Sequence, residues 1–226
     1  MSGGHRARCE GVSDAGEDEV GFEELYAKAG ENLEAVPRAL LAAHPAVLSW
    51  LDRQPRPGGE AALVIGCGYG DDAEELCRRG FRVTAFDIAP TAIRRCRERF
   101  PGSEVEYRVA DLFAVPAEWH PGFDLVVEIR TLQSLPLDQR AAATLAVAQM
   151  VRPGGRLWLR CLGRADDEPV GERPWPVSRH DLSGFGRAGL DELEFLEQPL
   201  PAGRGRTFTV IYQRPPAARG STRRRA

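Results

Sequence analysis

Ala61-Ala62-Leu63-Val64-Ile65-Gly66-Cys67-Gly68-Tyr69-Gly70-Asp71-Asp72 decides how this 226-residue chain is read. Five apolar or small residues of strand type run into three glycines at every second position. Two aspartates then open the stretch Ala73-Glu74-Glu75-Leu76-Cys77-Arg78-Arg79-Gly80. The pattern is a buried strand, a tight loop and a helix start, with Asp71 or Asp72 as the helix cap and Gly80 as its stop. Glycine suits such a loop because a side chain there would forbid a positive φ or hold a ligand away from the backbone. The loop reads as a cradle for something flat and polar, beside the plainer alternative of a strand-to-helix turn with no ligand.

Outward from it, strands and helices alternate. Phe81 to Phe86 is a second strand ending on Asp87, where an acid can accept hydrogen bonds from both ribose hydroxyls or cap the following helix. Pro90 opens that helix, Ile93, Cys96 and Phe100 mark its inner face, and Pro101-Gly102 closes it. Glu104 to Val109 is a third strand leading to Asp111 and Leu112, and Phe123 to Glu128 a fourth. Asp138 is placed to cap the next helix, whose Ala143, Val147, Met150 and Val151 face the sheet. Val151 to Leu159 then reads as helix end, Pro-Gly-Gly turn and fifth strand. Ser178 begins a helix reaching about Arg187. Leu190 to Glu197 and Arg206 to Tyr212 are two more strands joined without a helix, which implies an antiparallel hairpin at the sheet edge. The whole is α/β, with a mostly parallel sheet and helices on both faces.

Glycine loop and acid are shared with NAD-binding proteins, so those two motifs leave the cofactor open. The series VIGCGYG, FDIAP, VADLF, FDLVVEI and VRPGGRLWL, in this order, resembles class I S-adenosylmethionine-dependent methyltransferases over about residues 60 to 162. The resemblance implies a Rossmann-like class I methyltransferase fold, a seven-stranded, mostly parallel sheet with a C-terminal antiparallel hairpin. It implies S-adenosyl-L-methionine as cofactor, with Gly66, Cys67, Gly68 and Gly70 under its methionine part. Asp87 falls on the ribose with Ile88 flanking the adenine, and Asp111 falls on the adenine amino group with Leu112 supplying backbone. Phe22-Glu23-Glu24-Leu25-Tyr26, Val36-Pro37-Arg38 and GCGYGDDAEEL together resemble the small-molecule branch that includes thiopurine and thiol methyltransferases. Members of that branch often carry Pro-Trp where this chain has Pro37-Arg38, so an aromatic wall of the cofactor pocket is either missing or supplied by Trp50 or Tyr26.

The chain length suits one α/β domain. No run of eighteen apolar residues occurs and the N-terminus has no apolar signal region, so a soluble cytoplasmic protein is expected, with no membrane partner. Cys9, Cys67, Cys77, Cys96 and Cys161 show no paired spacing, which suits reduced structural thiols and argues against a metal site. Residues 1–20 lack periodicity and read as a disordered tail, residues 21–59 as a helical segment kinked at Pro37 and Pro45, residues 60–213 as the methyltransferase domain, and residues 214–226 as a basic disordered tail. That basic tail carries five arginines and no acid, so without it the net charge moves from −3 to −8. An acidic body without a basic groove argues against a nucleic-acid partner. The helical segment, with Phe22, Leu25, Tyr26 and Ala29 on one stripe, is a candidate lid over the cofactor mouth, or a stripe that only packs on the sheet.

In open α/β sheets the ligand lies beyond the carboxyl ends of the strands. A sulfonium methyl is already electrophilic, so the protein's task is to hold a nucleophile in line and, for an amine or hydroxyl, to remove a proton. Glu128, ending the fourth strand, is the candidate cofactor-ammonium ligand or base, or else a loop cap. Tyr26 is a second catalytic candidate. Arg130 is placed to bind a substrate carboxylate, or to form a surface ion pair. The loop from Arg164 to Pro169, with Trp175 beyond it, combines acids and an aromatic that suit a cationic or planar substrate, or a solvated loop; His180 reads as a residue near a helix start. The expected activity is methyl transfer to a small-molecule thiol, amine, hydroxyl or carboxylate, in specialised metabolism. The alternatives are a cyclisation that releases methylthioadenosine, and a non-catalytic cofactor-binding protein. Oligomeric state is not legible in the sequence.

Overall fold

The computed structural model describes residues 17–30, 32–33, 41–171, 173–200 and 205–217. The expectations that fall on residues 1–16, 34–40, 201–204 and 218–226 lie outside the described residues. These include most of the N-terminal tail, Pro37, Arg38, most of the hairpin turn and the arginine-rich end.

Seven strands form one sheet: β1 (Ala61–Ile65), β2 (Arg82–Asp87), β3 (Glu106–Val109), β4 (Phe123–Ile129), β5 (Val151–Gly163), β6 (Asp191–Pro199) and β7 (Arg206–Gln213). Their order is β3-β2-β1-β4-β5-β7-β6, with β1 to β5 parallel, β7 antiparallel to β5 and β6 antiparallel to β7. The expected fold is therefore present, and β7, the last strand in sequence, is inserted between β5 and the edge strand β6.

Strand β1 is central and covered on both faces, which is why Ala61-Ala62-Leu63-Val64-Ile65 is apolar without alternation. Its side chains still divide by face. Leu63 and Ile65 join a core with Phe86, Trp119, Val126, Val147, Leu182 and Phe185, under α5 (Arg140–Met150) and α6 (Arg179–Arg187). Ala62 and Val64 join the opposite core with Val83, Trp158, Trp50, Leu76 and Ile93, under α2 (Pro45–Leu51), α3 (Asp71–Arg78) and α4 (Pro90–Arg99). Trp50 is 5% exposed within that core, so the aromatic-wall role expected of Trp50 or Tyr26 does not fall to Trp50.

Local details differ from the sequence reading in instructive ways. Neither Asp71 nor Asp72 caps α3, because Gly70 occupies the cap position at φ 90°. Asp138 does not cap α5 either. It lies in a 3-10 turn, Leu137–Gln139, and α5 begins at Arg140. Ser178 does cap α6, in a capping box with Asp181. Val151 to Gly155 is already strand, with the β4–β5 register shifting so that Phe123 faces Val151 and Leu125 faces Arg156. Arg214 remains tied to the body, its guanidinium donating to the Val151 and Ala148 carbonyls at 2.8 Å each.

The N-terminal helix α1 (Glu17–Ala29) is fastened to α4 from above. The Glu23 carboxylate accepts the Thr91 backbone N–H at 3.0 Å and the Thr91 hydroxyl at 2.5 Å, doing the work of a cap that Ala89 cannot. Arg95 donates to the Gly30 carbonyl at 2.7 Å. These contacts hold one face of α1 over the carboxyl ends of β1 and β2.

Candidate active site

Strand register sets the level of the site. Ile65 pairs with Phe86 on one side and Glu128 on the other, so the loops after β1, β2 and β4 leave the sheet together at the topological switch between β1 and β4. A cavity of about 310 Å³ opens there, of small-molecule size. Its walls come from the glycine loop, the ends of β2 and β3, the 129–139 loop, His44, and Phe22, Leu25 and Tyr26 of α1.

One end holds the residues that the motifs announced. Gly66 sits at φ 60°, and a Cβ there would come within 2.4 Å of the Thr131 hydroxyl oxygen. Gly70 is needed for a different reason: its Cβ would meet the Tyr107 hydroxyl at 2.5 Å, and that hydroxyl is held by Glu74 at 2.7 Å. Gly68 lies under Tyr26, whose hydroxyl would be 3.2 Å from a Cβ. Asp87 is buried and lines the cavity; Oδ2 accepts the Gly68 N–H and Oδ1 the Ala89 N–H, at 3.0 Å each. Burial pushes its carboxyl up against the pull of those N–H groups. Each oxygen keeps a further lone pair for a ligand hydroxyl. Asp111 accepts the Phe113 N–H at 2.9 Å and lines the cavity with Ile88 and Leu112. Cys67 lines it too, its thiol held protonated by a hydrogen bond with Cys96 and by burial.

The other end is assembled from distant segments. Arg130 lines it at φ 69°, the one non-glycine positive φ among the described residues, a strain of the kind that marks functional sites. Beside it stand His44, Asp72 and Gln133. The His44 N–H donates to Asp72 Oδ1 at 2.7 Å, and its Nδ1 accepts the Ala46 N–H at 3.1 Å while capping α2. Burial, then the charges of Arg160 and Arg130, lower His44 to about 4, so it is neutral with its proton on Nε2. Gln133 is 1% exposed and fixed through Oε1 by the Leu162 N–H at 2.5 Å. None of these three was singled out as a site residue from sequence. His44 carried one overlooked signal, its position just before Pro45 at a helix start.

Three expected site residues stand outside the cavity lining: Gly70, which turns the chain into α3, Glu128 and Trp175. Glu128 is 1% exposed and turned under the loop, where Oε1 accepts the Thr131 and Leu132 N–H groups, the latter at 3.1 Å. Its Oε2 is buried without a partner, and burial raises the carboxyl to about 7. The loop-cap alternative therefore describes it. Trp175 contributes backbone: its N–H donates to the Gln133 carbonyl at 2.8 Å and its carbonyl accepts Arg140 at 2.5 Å. Of the acids in the 164–168 loop, Glu168 accepts the Ala165 N–H and the Arg206 guanidinium at 2.7 Å each, and Asp166 accepts the His180 N–H at 2.9 Å. Tyr26 lines the cavity, but burial and the charge of Asp87 push its phenol up, so it serves as a phenol and not as a base. Among the described residues no group of three His, Cys, Asp or Glu side chains is arranged to hold a metal, and no helix is long and apolar enough to cross a membrane.

Sheet order, crevice and glycine cradle define a class I methyltransferase fold. Residues 62–155 match the family described as methyltransferase domain. Over 129 residues the chain is 33% identical to a ubiquinone biosynthesis O-methyltransferase of Xanthomonas axonopodis pv. citri (strain 306), covering 56% of this chain and 53% of that protein. The chain thus spans about half the length of the curated relatives it matches. Among solved structures, magnesium protoporphyrin IX methyltransferase from Synechocystis PCC 6803 with bound S-adenosylmethionine superposes with a TM-score of 0.70 at 15% identity, over 90% of this chain and all of that one. The cyclase SpnF superposes with a TM-score of 0.67 at 16% identity, over 87% of this chain and 94% of that one. At these identities the likeness concerns fold, and the fold accommodates more than one reaction.

Proposed function

We propose that the protein binds S-adenosyl-L-methionine and transfers its methyl group to a hydroxyl of a small molecule. One observation carries this: a single cavity joins a glycine cradle and two strand-end acids, Asp87 and Asp111, to a separate charged end at His44, Asp72 and Arg130. The first end has the chemistry for a nucleoside. Gly66, Cys67 and Gly68 offer bare backbone to the methionine part, Asp87 accepts from ribose hydroxyls, and Asp111, Ile88 and Leu112 enclose the adenine. When bound, the cofactor supplies an electrophilic methyl. The chain's own contribution is then to position an acceptor and exclude water, with Phe22, Leu25 and Tyr26 of α1 as the roof.

A hydroxyl acceptor agrees with the O-methyltransferase named among the relatives, in preference to the thiol suggested by the looser sub-family resemblance. Arg130, with Arg160 nearby, makes the acceptor end electropositive; among the described residues the Arg160 guanidinium donates to the neutral side chains of Gln198, Thr207 and Thr209. An acceptor bearing a carboxylate beside its hydroxyl suits that field. The reading places the protein in the cell interior, acting on a soluble metabolite.

The test is mass spectrometry of the protein incubated with S-adenosylmethionine and pooled small phenols, hydroxy acids, thiols and amines, read on both products. A methylated hydroxyl with an equivalent of S-adenosylhomocysteine is expected. Methylthioadenosine would instead indicate cyclisation, and methylation confined to thiols would overturn the hydroxyl assignment.

A further inference from the structure

We propose that Asp72 is the proton acceptor for the acceptor hydroxyl, a role that rests on the methyl-transfer reading above. Among the described residues four carboxylates line the cavity, Asp71, Asp72, Asp87 and Asp111. Three of them are committed elsewhere. Asp71 gives both oxygens to the Arg99 guanidinium at 2.8 Å each. Asp87 and Asp111 are held by backbone N–H groups at the nucleoside end. Asp72 is at the charged end, two residues past the glycine loop, and the His44 N–H fixes its Oδ1 at 2.7 Å. Oδ2 is then the oxygen that takes a proton.

Among the described residues the other proton acceptors of the region are occupied, turned away or held protonated. His44 uses its Nδ1 lone pair on the Ala46 N–H and presents Nε2–H, a donor. Glu128 lies beneath the Thr131 and Leu132 backbone, and Tyr26 keeps its phenolic proton. The groups that face Asp72 are the His44 backbone from the segment before α2, Asp71 on its own helix, and Arg130 from the loop after β4. Burial raises its carboxyl to about 6, with the His44 N–H opposing, Asp71 adding to the rise and Arg130 opposing. A carboxylate of that basicity is ionised at neutral pH yet accepts a proton better than an exposed one.

This chemistry selects an acidic hydroxyl, as on an aromatic ring, whose pKa is about 10 as for the tyrosine phenol. The hydroxyl oxygen forms its bond to the methyl carbon while the methyl–sulfur pair returns to sulfur. The O–H pair stays on oxygen, and the proton passes to Asp72 Oδ2 and from there to water.

The experiment compares Asp72→Asn with the wild type by calorimetry, using S-adenosylhomocysteine and sinefungin, the analogue with a protonated amine at the position of the sulfonium methyl. The wild type is expected to favour sinefungin by about ten- to a hundredfold through a charge-assisted hydrogen bond. That preference should vanish in the variant while S-adenosylhomocysteine binds equally well to both. In the wild type alone the preference should fade as pH drops below 6, which holds the test open if the variant does not fold. Equal weakening of both ligands would assign Asp72 to the cofactor's own ammonium group, and an unchanged preference would place it away from the methyl; either overturns the proposal. In turnover, the variant should lose about 100-fold or more in kcat/KM with a phenol, and far less with a nitrophenol that is already ionised. Equal losses would reduce Asp72 to a structural part. A sinefungin preference in a wild type that methylates no acceptor would defeat the methyl-transfer reading, and the proton-acceptor role with it, while leaving Asp72 beside the methyl position.

Discussion

The two ends of the cavity are built by different means. At the nucleoside end Gly66, Gly68, Asp87 and Asp111 each stand within three residues of the end of a parallel strand, and the sheet register alone brings them together. At the acceptor end His44, Asp72, Arg130 and Gln133 come from the segment before α2, the start of α3 and the loop after β4, joined by side-chain and backbone hydrogen bonds across long sequence gaps. Secondary structure places the first set. Tertiary packing places the second. The nucleoside end should therefore be intolerant of backbone change, whereas the acceptor end should lose substrate preference while the fold persists.

The largest effect is expected at Gly66. Valine there would put a β-branched side chain at φ 60° and a Cβ against Thr131, costing about 2–4 kcal/mol of stability and more than about 100-fold in cofactor affinity. Urea denaturation with calorimetry checks both, and a variant that binds normally would show that the cradle is not a cradle. Next comes Asp87→Ala, which should cost about 1–3 kcal/mol of cofactor affinity while leaving any acceptor KM unchanged. Unaltered cofactor binding would remove Asp87 from the ribose.

Glu128 tests the border between the two ends. Its folded-state value of about 7 lies above the ordinary carboxylate value, so the native state holds the proton more tightly than the unfolded chain. Its contribution is full at low pH and lost as pH rises through 7. Glu128→Gln should accordingly stabilise the protein by on the order of 2 kcal/mol at pH 8 and by little at pH 4.5, with cofactor affinity unchanged. Melting curves at the two pH values decide this, and a large loss of cofactor affinity would return Glu128 to the site. The smallest effect on stability belongs to Arg130→Gly. Glycine relieves the positive φ as it removes the guanidinium, so stability should move by less than about 1 kcal/mol while KM for an acidic acceptor rises by about tenfold. If KM is unaffected, the electropositive end does not read the acceptor.

Helix caps show why some of the site was out of reach of sequence. Asp71 and Asp72 carry the composition of a cap, yet Gly70 fills that position, which releases Asp71 to Arg99 and Asp72 to His44. Conversely α4 has no competent cap of its own, and Glu23 supplies one from 68 residues earlier. Glu128 was drawn to the cavity by its place at a strand end. Burial and the 131–132 N–H groups turned it inward.

What the sequence by itself determined was the alternation of strands and helices, the sheet's parallel body with its antiparallel end, and the end of the cavity lined by the glycine loop and the strand-end acids. Those follow from apolar periodicity, glycine and strand ends, which act within a few residues. What only the tertiary structure decided was which acids face the cavity, which histidine joins them, and which carboxylate is buried beneath the loop. Such outcomes depend on competition among distant donors for each carboxylate and on how deeply packing excludes water from it. No local pattern encodes that competition.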